Sequence, residues 1–270
     1  MLTIEPLFGL CNRMRALDSA ILLSRKIDLP IRLIWNKTRD LNCSFTELFE
    51  LPEFVTLYHS HPASDLFNKY LPRIGVNLLS NYEKCIYRWH LDSLTASKYD
   101  FDQLKKYSSV YIRTCNRFYY GGPLFAHFKP VPRLRATIDR ICSAFTPHTI
   151  GIHVRRTDNY HSIKYSPTRA FEVMMNEILE RNGQTNFFLA TDSPQEERRM
   201  KRIFGTRIVT FEKELNRNTA QGIQDAVVDL YCLSRTSRII GSTFSSFSET
   251  ASEISTIERF IIDTQKPVQA

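Results

Sequence analysis

Residues 149–158 read Thr-Ile-Gly-Ile-His-Val-Arg-Arg-Thr-Asp, and the fold turns on them. Thr149–Val154 is apolar and β-branched, which predicts a buried strand of a parallel sheet. His153, Arg155, Arg156 and Asp158 arrive together as that strand ends. The carboxyl ends of strands in an open parallel sheet are where ligands bind. Two guanidiniums there call for an anion, and the planar fork of arginine matches phosphate well. Alternation along the strand puts His153 and Arg155 on one face and Arg156 on the other. One arginine is then available to a ligand while the other pairs internally, with Asp158 as a candidate partner. The competing reading is a surface Arg–Asp pair. The density of charge at one strand end favours a bound nucleotide diphosphate.

Working outward, strand and helix signals alternate through the C-terminal half. Ser166-Pro167 reads as an N-cap followed by proline at the first helical position. Apolar residues at 171, 174, 175, 178 and 179 form a helical stripe, stopped by Asn182-Gly183. Asn186–Ala190 is a second strand, a charged helix runs to about Phe204, and Thr206–Phe211 is a third strand. A helix spans about Thr219–Ser234. Arg238–Gly241 is a fourth strand, followed by Ser-Thr-Phe-Ser-Ser and a last helix. This alternation predicts a parallel sheet covered on both faces. The N-terminal half opens with a strand at Leu2–Leu7, a turn at Gly9–Arg13, a helix through Lys26 and a strand at Ile31–Trp35, which predicts a second Rossmann-like unit. Residues 36–107 read as irregular, broken by Pro52, Pro62 and Pro72, and Ser109–Thr114 rejoins the sheet. Lys129-Pro-Val-Pro132 is the crossing, so the expected domains are 1–132 and 133–270.

Composition narrows the classes. Apolar residues make up 43% and charged residues 24% of 270, as in an ordinary soluble protein. Lys+Arg number 36 against 28 Asp+Glu, a net charge of +8 that suits an anionic partner. The densest basic cluster, Arg198–Arg202, follows Glu196-Glu197 and reads as a solvated helix face. No aromatics interleave with it, so a nucleic-acid groove is disfavoured and no nucleic-acid partner is expected. Six widely spaced cysteines without a Cys-x-x-Cys pair read as reduced thiols, although their even number also permits disulfides. The first residues lack a signal-peptide pattern, and no run reaches the roughly 20 apolar residues of a membrane span. A cytoplasmic protein is expected, with peripheral membrane contact left open.

Four further constellations carry possible chemistry. Ser242, Thr243, Ser245 and Ser246 lie between a strand and a helix N-terminus, where hydroxyls and free N–H groups hold anions; the alternative is N-capping by Ser245 or Ser246. Asp192-Ser193 ends the second strand. Asp225 and Asp229 are four apart on a helix, a spacing that usually marks a solvated face, but Asp229 neighbours Leu230 and Leu233. Asn12-Arg13, with Arg15 nearby, sits in the first loop, where an ordinary helix start is the plainer reading.

In this order the residues resemble the GDP-fucose-dependent fucosyltransferase superfamily, which includes α1,6-fucosyltransferases, NodZ and protein O-fucosyltransferases. The blocks that carry the resemblance are His-Val-Arg-Arg-Thr-Asp at 153–158, Phe-Leu-Ala-Thr-Asp at 188–192, and Asp229-Leu-Tyr-Cys-Leu-Ser leading to Thr-Phe-Ser-Ser at 243–246. Gly9–Arg13 is similar to the family's N-terminal Gly-x-x-Asn-Arg/Gln element. The resemblance implies an α/β, GT-B-like fold: two Rossmann-like domains facing across a cleft, with acceptor on the N-terminal side and nucleotide sugar on the C-terminal side. It implies that Arg155 binds the β-phosphate and stabilises the leaving diphosphate, that His153 and Asp229 contact the nucleotide, and that Ser246 and its neighbours hold phosphate oxygens. Asn12, Arg13, Arg156, Asp158, Asp192, Ser242, Thr243 and Ser245 complete the expected donor-binding set. No metal or other cofactor is implied.

The sequence departs from the family pattern in two places. Asn159-Tyr-His-Ser-Ile-Lys164 lacks the glutamate that α1,6-type enzymes carry after this motif, so no base transfers; His161 is the candidate and Asp18 the second choice. Asp229 and Thr-Phe-Ser-Ser also lie one residue farther apart than in those enzymes. The expected function is an inverting, metal-independent glycosyltransferase moving fucose from GDP-fucose to a glycan hydroxyl. The alternatives are a transferase for another nucleotide sugar and a non-catalytic nucleotide- or glycan-binding protein on the same fold.

Overall fold

The computed structural model describes residues 1–58, 82–91 and 99–265. The chain divides into two compact units, Met1–Lys129 and Pro130–Ala270. Each is built on a five-stranded parallel sheet. The α/β, Rossmann-like class expected from the sequence is the class observed.

In the first unit, β1 (Leu2–Pro6) is wholly buried and is followed by α1 (Leu10–Ile27). Then come β2 (Ile31–Ile34), β3 (Val55–Tyr58), β4 (Lys84–Tyr87) and β5 (Val110–Thr114), in the sheet order β3-β2-β1-β5-β4. β3 and β4 lie in the stretch that reads as irregular from sequence. Each is only four residues long, and its pairing, β3 with β2 and β4 with β5, is made across the fold. Pro62 and Pro72 fall outside the described residues.

The second unit opens with α2 (Pro132–Cys142), so the Lys129–Pro132 crossing lies at the boundary between units and Pro132 starts a helix. There follow β6 (Thr149–Val154), α3 (Tyr160–Tyr165), α4 (Thr168–Arg181), β7 (Asn186–Thr191), α5 (Pro194–Phe204), β8 (Ile208–Val209), α6 (Ala220–Ser234), β9 (Ile239–Ser242), α7 (Ser246–Ser255) and β10 (Arg259–Ile262). The third strand is shorter than its sequence reading, because a 3-10 turn occupies Gly205–Arg207. β10 is an added edge strand that pairs with β9, and its Phe260 and Ile261 remain exposed. Ser166 is not the cap of α4: Pro167 holds that place. The buried Ser166 hydroxyl instead donates to the Ile262 carbonyl at 2.5 Å and accepts from the Thr243 amide at 2.8 Å.

The sheet order β10-β9-β6-β7-β8 gives β6 a neighbour on each side: β7, which follows it, and β9, reached after the chain crosses back. This reversal is a topological switch point, where open α/β sheets bind ligands at their carboxyl edge. The pleat sorts the faces. Ile150, Ile152 and Val154 point into a core with Phe171 and Met175 of α4, Met200 and Phe204 of α5, Phe187 and Leu189. Gly151 and His153 take the other face, where α6 and the turn after it pack so closely that a Cβ on Gly151 would lie 2.8 Å from the Thr236 Oγ1 and 2.9 Å from Leu233.

Candidate functional site

The carboxyl ends of β6 and β9 are stitched together by Ser242, which is fully buried. Its Oγ accepts from the Arg155 amide at 3.1 Å and donates to the His153 carbonyl at 3.3 Å. β9 approaches α7 so closely that a Cβ on Gly241 would stand 2.5 Å from the Ser248 Oγ. Thr243 is held from two sides, its amide by Ser166 and its carbonyl by the Ser162 hydroxyl at 2.6 Å. Ser242 and Thr243, expected to hold phosphate, are buried, and fix the frame of the switch point through the Ser242 hydroxyl and the Thr243 backbone. Ser245 is the N-cap of α7, its Oγ accepting from the Phe247 amide at 3.4 Å. The other first-turn amides of α7 have no intrahelical acceptor, the usual basis of an anion site.

The two adjacent arginines have different employment. Arg156 is committed to the fold: Nε and Nη2 donate to the Thr168 Oγ1 at 3.1 and 3.0 Å, Nη2 also reaches the Ser166 carbonyl at 2.7 Å, and Nη1 reaches the Arg155 carbonyl at 2.6 Å. Glu196 lies 3.8 Å away. Arg156 therefore clamps the start of α4 to the loop after β6. Arg155 is 21% exposed and makes one ion pair, Nη2 to the Asp158 Oδ1 at 2.6 Å. Its Nε is buried without a protein partner. Asp192 works beside Arg156: its Oδ1 accepts from the Arg156 amide at 2.6 Å, and its Oδ2 from the Thr157 hydroxyl at 2.7 Å. It shapes the backbone that presents Arg155.

His153 is buried, its ring stacked on Phe247 at 5.1 Å, and its Nδ1 has no protein partner. Burial, reinforced by the cation of Arg155, pushes its pKa down to about 3, so the ring is neutral near pH 7. A neutral ring with an unpaired buried nitrogen at a strand end can donate to or accept from a ligand.

Residues 210–219, between β8 and α6, bring in groups the sequence reading passed over. The Lys213 Nζ lies 2.8 Å from both carboxylate oxygens of Asp229, and both side chains are buried. Burial pushes Asp229 up to about 6, against the pull of Lys213. Asp225 is buried too, accepting from the Glu214 amide and the Gln221 Nε2, each at 2.8 Å. The pair four apart is therefore an interior anchor for this loop and not a solvated face. Arg217 reaches the Asp158 Oδ2 at 2.7 Å, so Asp158 lies between two arginines. Burial alone would raise the Asp158 pKa, but Arg155 and Arg217 together hold it below the usual carboxylate range. Neither Lys213 nor Arg217 carries a motif; only the folded loop shows their partners.

The remaining expected residues are dispersed. His161 is exposed on α3, 5.9 Å from Tyr165 and 5.4 Å from Phe244 between ring centres. Phe244 is itself exposed, with a left-handed φ of 52°. Asn12 and Arg13 belong to the first unit. Arg13 is buried, each of its nitrogens donating within that unit: to the Phe8 carbonyl at 2.7 Å, the Asn36 carbonyl at 2.6 Å and the Thr38 hydroxyl at 2.8 Å. The Asn12 Oδ1 accepts from Arg15 at 2.8 Å. Asp18 is locked to Arg117 at 2.7 Å and accepts from the Phe125 amide at 2.9 Å, a buried structural pair rather than a base. Asp100-Phe-Asp102, an Asp-x-Asp spacing, begins a 3-10 turn: Asp100 caps it, and Asp102 pairs with Lys105 at 2.9 Å. Among the described residues no group of three or more His, Cys, Asp or Glu could hold a metal ion, and no helix is long and apolar enough to cross a membrane.

No protein-family model matches the chain, and no curated protein matches its sequence. Solved structures do. The NodZ α-1,6-fucosyltransferase soaked with GDP-fucose aligns over 94% of this chain and 92% of its own, at TM-score 0.62 and 16% identity. The R284K mutant of Arabidopsis thaliana FUT1 in complex with GDP aligns over 96% and 69%, at TM-score 0.63 and 15% identity. POFUT1 in complex with GDP-fucose aligns over 97% of each chain, at TM-score 0.57 and 10% identity. This chain has the GT-B fold of these fucosyltransferases, and the fold is what the likeness shows.

Proposed function

We propose that the protein is a glycosyltransferase that moves fucose from GDP-fucose to a glycan hydroxyl, with inversion and without a metal. The observation that carries this reading is the pair of unpartnered buried nitrogens at the switch point, His153 Nδ1 and Arg155 Nε, beside the N-terminus of α7. Buried polar groups ordinarily have partners. A donor diphosphate supplies acceptors of the right charge, and the solved structures that share the fold include complexes with GDP and GDP-fucose.

In this reading the reaction is a single displacement. The acceptor oxygen attacks the anomeric carbon as its bond to the diphosphate breaks. Charge develops on the departing GDP, and Arg155 with the first amides of α7 stabilises it where a metal would in other enzymes. His153, neutral and fixed against Phe247, contacts the nucleotide. Asp229 reads the guanine edge, oriented by Lys213. His161 takes the acceptor proton. Arg156, Asp192, Ser242 and Thr243 hold the loop that aims Arg155. The first unit binds the acceptor.

The test is GDP release from GDP-fucose with a panel of glycan acceptors, together with thermal shifts by GDP, UDP and ADP. Acceptor-dependent release and preferential stabilisation by GDP are expected. Preferential stabilisation by UDP would point to another nucleotide sugar. Binding of GDP without turnover on any acceptor would point to a non-catalytic binding protein.

A further inference from the structure

We infer that Arg217 is a second diphosphate-binding cation, delivered by the loop at residues 210–219 and held beside Arg155 by Asp158. The inference rests on the donor-site reading above and adds a residue that no motif identifies.

One carboxylate serves two guanidiniums here, Asp158 Oδ1 to Arg155 at 2.6 Å and Oδ2 to Arg217 at 2.7 Å. The trio carries a net positive charge at the carboxyl edge of β6, beside the unpaired Arg155 Nε. Each arginine gives Asp158 a single nitrogen, leaving further N–H donors for an anion. A diphosphate outcompetes a lone carboxylate for such forks, because it brings more negative charge and more acceptor oxygens. The loop that carries Arg217 is anchored at its other positions: Lys213 by Asp229, and the Glu214 amide by Asp225. Arg217 therefore stands at a defined place near Arg155. Its pair with Asp158 is substantially exposed, at 40% and 46%, so it contributes little to folding stability.

The experiment is calorimetric titration of GDP, and of GMP as the shorter anion, into the full chain and its Arg217→Ala, Arg217→Lys and Arg155→Ala variants. Thermal unfolding checks that each is folded. Arg217→Ala is expected to weaken GDP binding roughly tenfold or more, with a smaller loss for GMP and partial recovery in Arg217→Lys, because a point charge replaces the fork. If Arg217→Ala binds GDP within twofold of the parent while Arg155→Ala is weakened, the role of Arg217 is refuted and the donor site stands. If both variants bind like the parent, the donor site fails as well. Equal losses for GDP and GMP also refute the assignment, since they place Arg217 away from the terminal phosphate.

Discussion

The Lys213 ammonium sits 2.8 Å from each carboxylate oxygen of Asp229, with both side chains withdrawn from solvent. The lysine lies in a loop and the aspartate on α6, sixteen residues away in the chain. This contact pins the loop against the sheet and leaves a charge pair in the interior. Lys213→Met removes one partner and strands the other. It is expected to destabilise the second unit by about 3–5 kcal/mol, read from chemical denaturation, because an unpaired buried charge is costly. A loss below about 1 kcal/mol, the scale of an exposed pair, would show that the contact is not buried in solution.

Arg155 and Arg156 are neighbours with separable roles. Arg156→Ala removes the donors to Thr168, Ser166 and Arg155, and is expected to lower stability by about 3–5 kcal/mol as hydrogen bonds to a charged group are lost and their acceptors left unmet. Arg155→Ala should change stability by at most about 1 kcal/mol, since its one ion pair is to Asp158, which is 46% exposed. Its effect falls on GDP binding and on turnover, with an expected loss of about 100- to 1000-fold in kcat, typical of removing one preorganised contact to developing charge. Unfolding curves and initial rates on both variants decide it.

His153 sets a pH dependence of known sign. Its folded pKa, about 3, lies below the ordinary histidine value, so the unfolded chain binds the proton more readily. Stability from the neutral buried ring is complete above about pH 6.5 and is lost as pH falls toward 3, by up to about 1.4 kcal/mol per unit. Asp229 acts in the opposite sense between about pH 4 and 6, because its folded pKa is raised to about 6 and its ionisation there costs stability. Comparing His153→Gln with the parent isolates the histidine: the variant should lose less stability on acidification. Parallel profiles for the two proteins would refute the assignment.

Gly222 has no room for a side chain. A Cβ there would lie 2.0 Å from the Asn216 carbonyl oxygen, a backbone atom that can yield only by moving the whole loop. Gly222→Ala is expected to cost about 1–3 kcal/mol as an overpacked site. It should also weaken GDP binding, because Arg217 is displaced with Asn216. Unchanged stability and unchanged affinity together would show that the loop is not packed on α6 in this way.

The legible part of the fold was local. Thr149–Val154 announces itself through its β-branched residues Thr149, Ile150, Ile152 and Val154, and the alternation of faces at 153, 155 and 156 separates the two arginines from the sequence alone. What the chain could not show is pairing across distance. That β9 lies beside β6, making a switch point, depends on a crossing of some eighty residues. Lys213 and Arg217 sit in a polar loop without periodicity, and their partners Asp229 and Asp158 are chosen by the fold. Hydroxyls before a helix look alike in sequence, so the burial of Ser242 and Thr243 and their bonds to His153, Arg155, Ser162 and Ser166 appear only in the fold. The edge strand β10 and the strands β3 and β4 are short, and the neighbours that make them strands, β9, β2 and β5, are chosen by the fold.

The central claim is that the Arg155 guanidinium meets the diphosphate of the donor. The most direct measurement is the Kd for GDP of the parent chain and of Arg155→Ala, taken at one fixed ionic strength. A loss of roughly 30-fold or more is expected, the scale on which truncating one partner of a hydrogen-bonded charge pair weakens a complex. Equal affinities for GDP in a folded Arg155→Ala variant would contradict it.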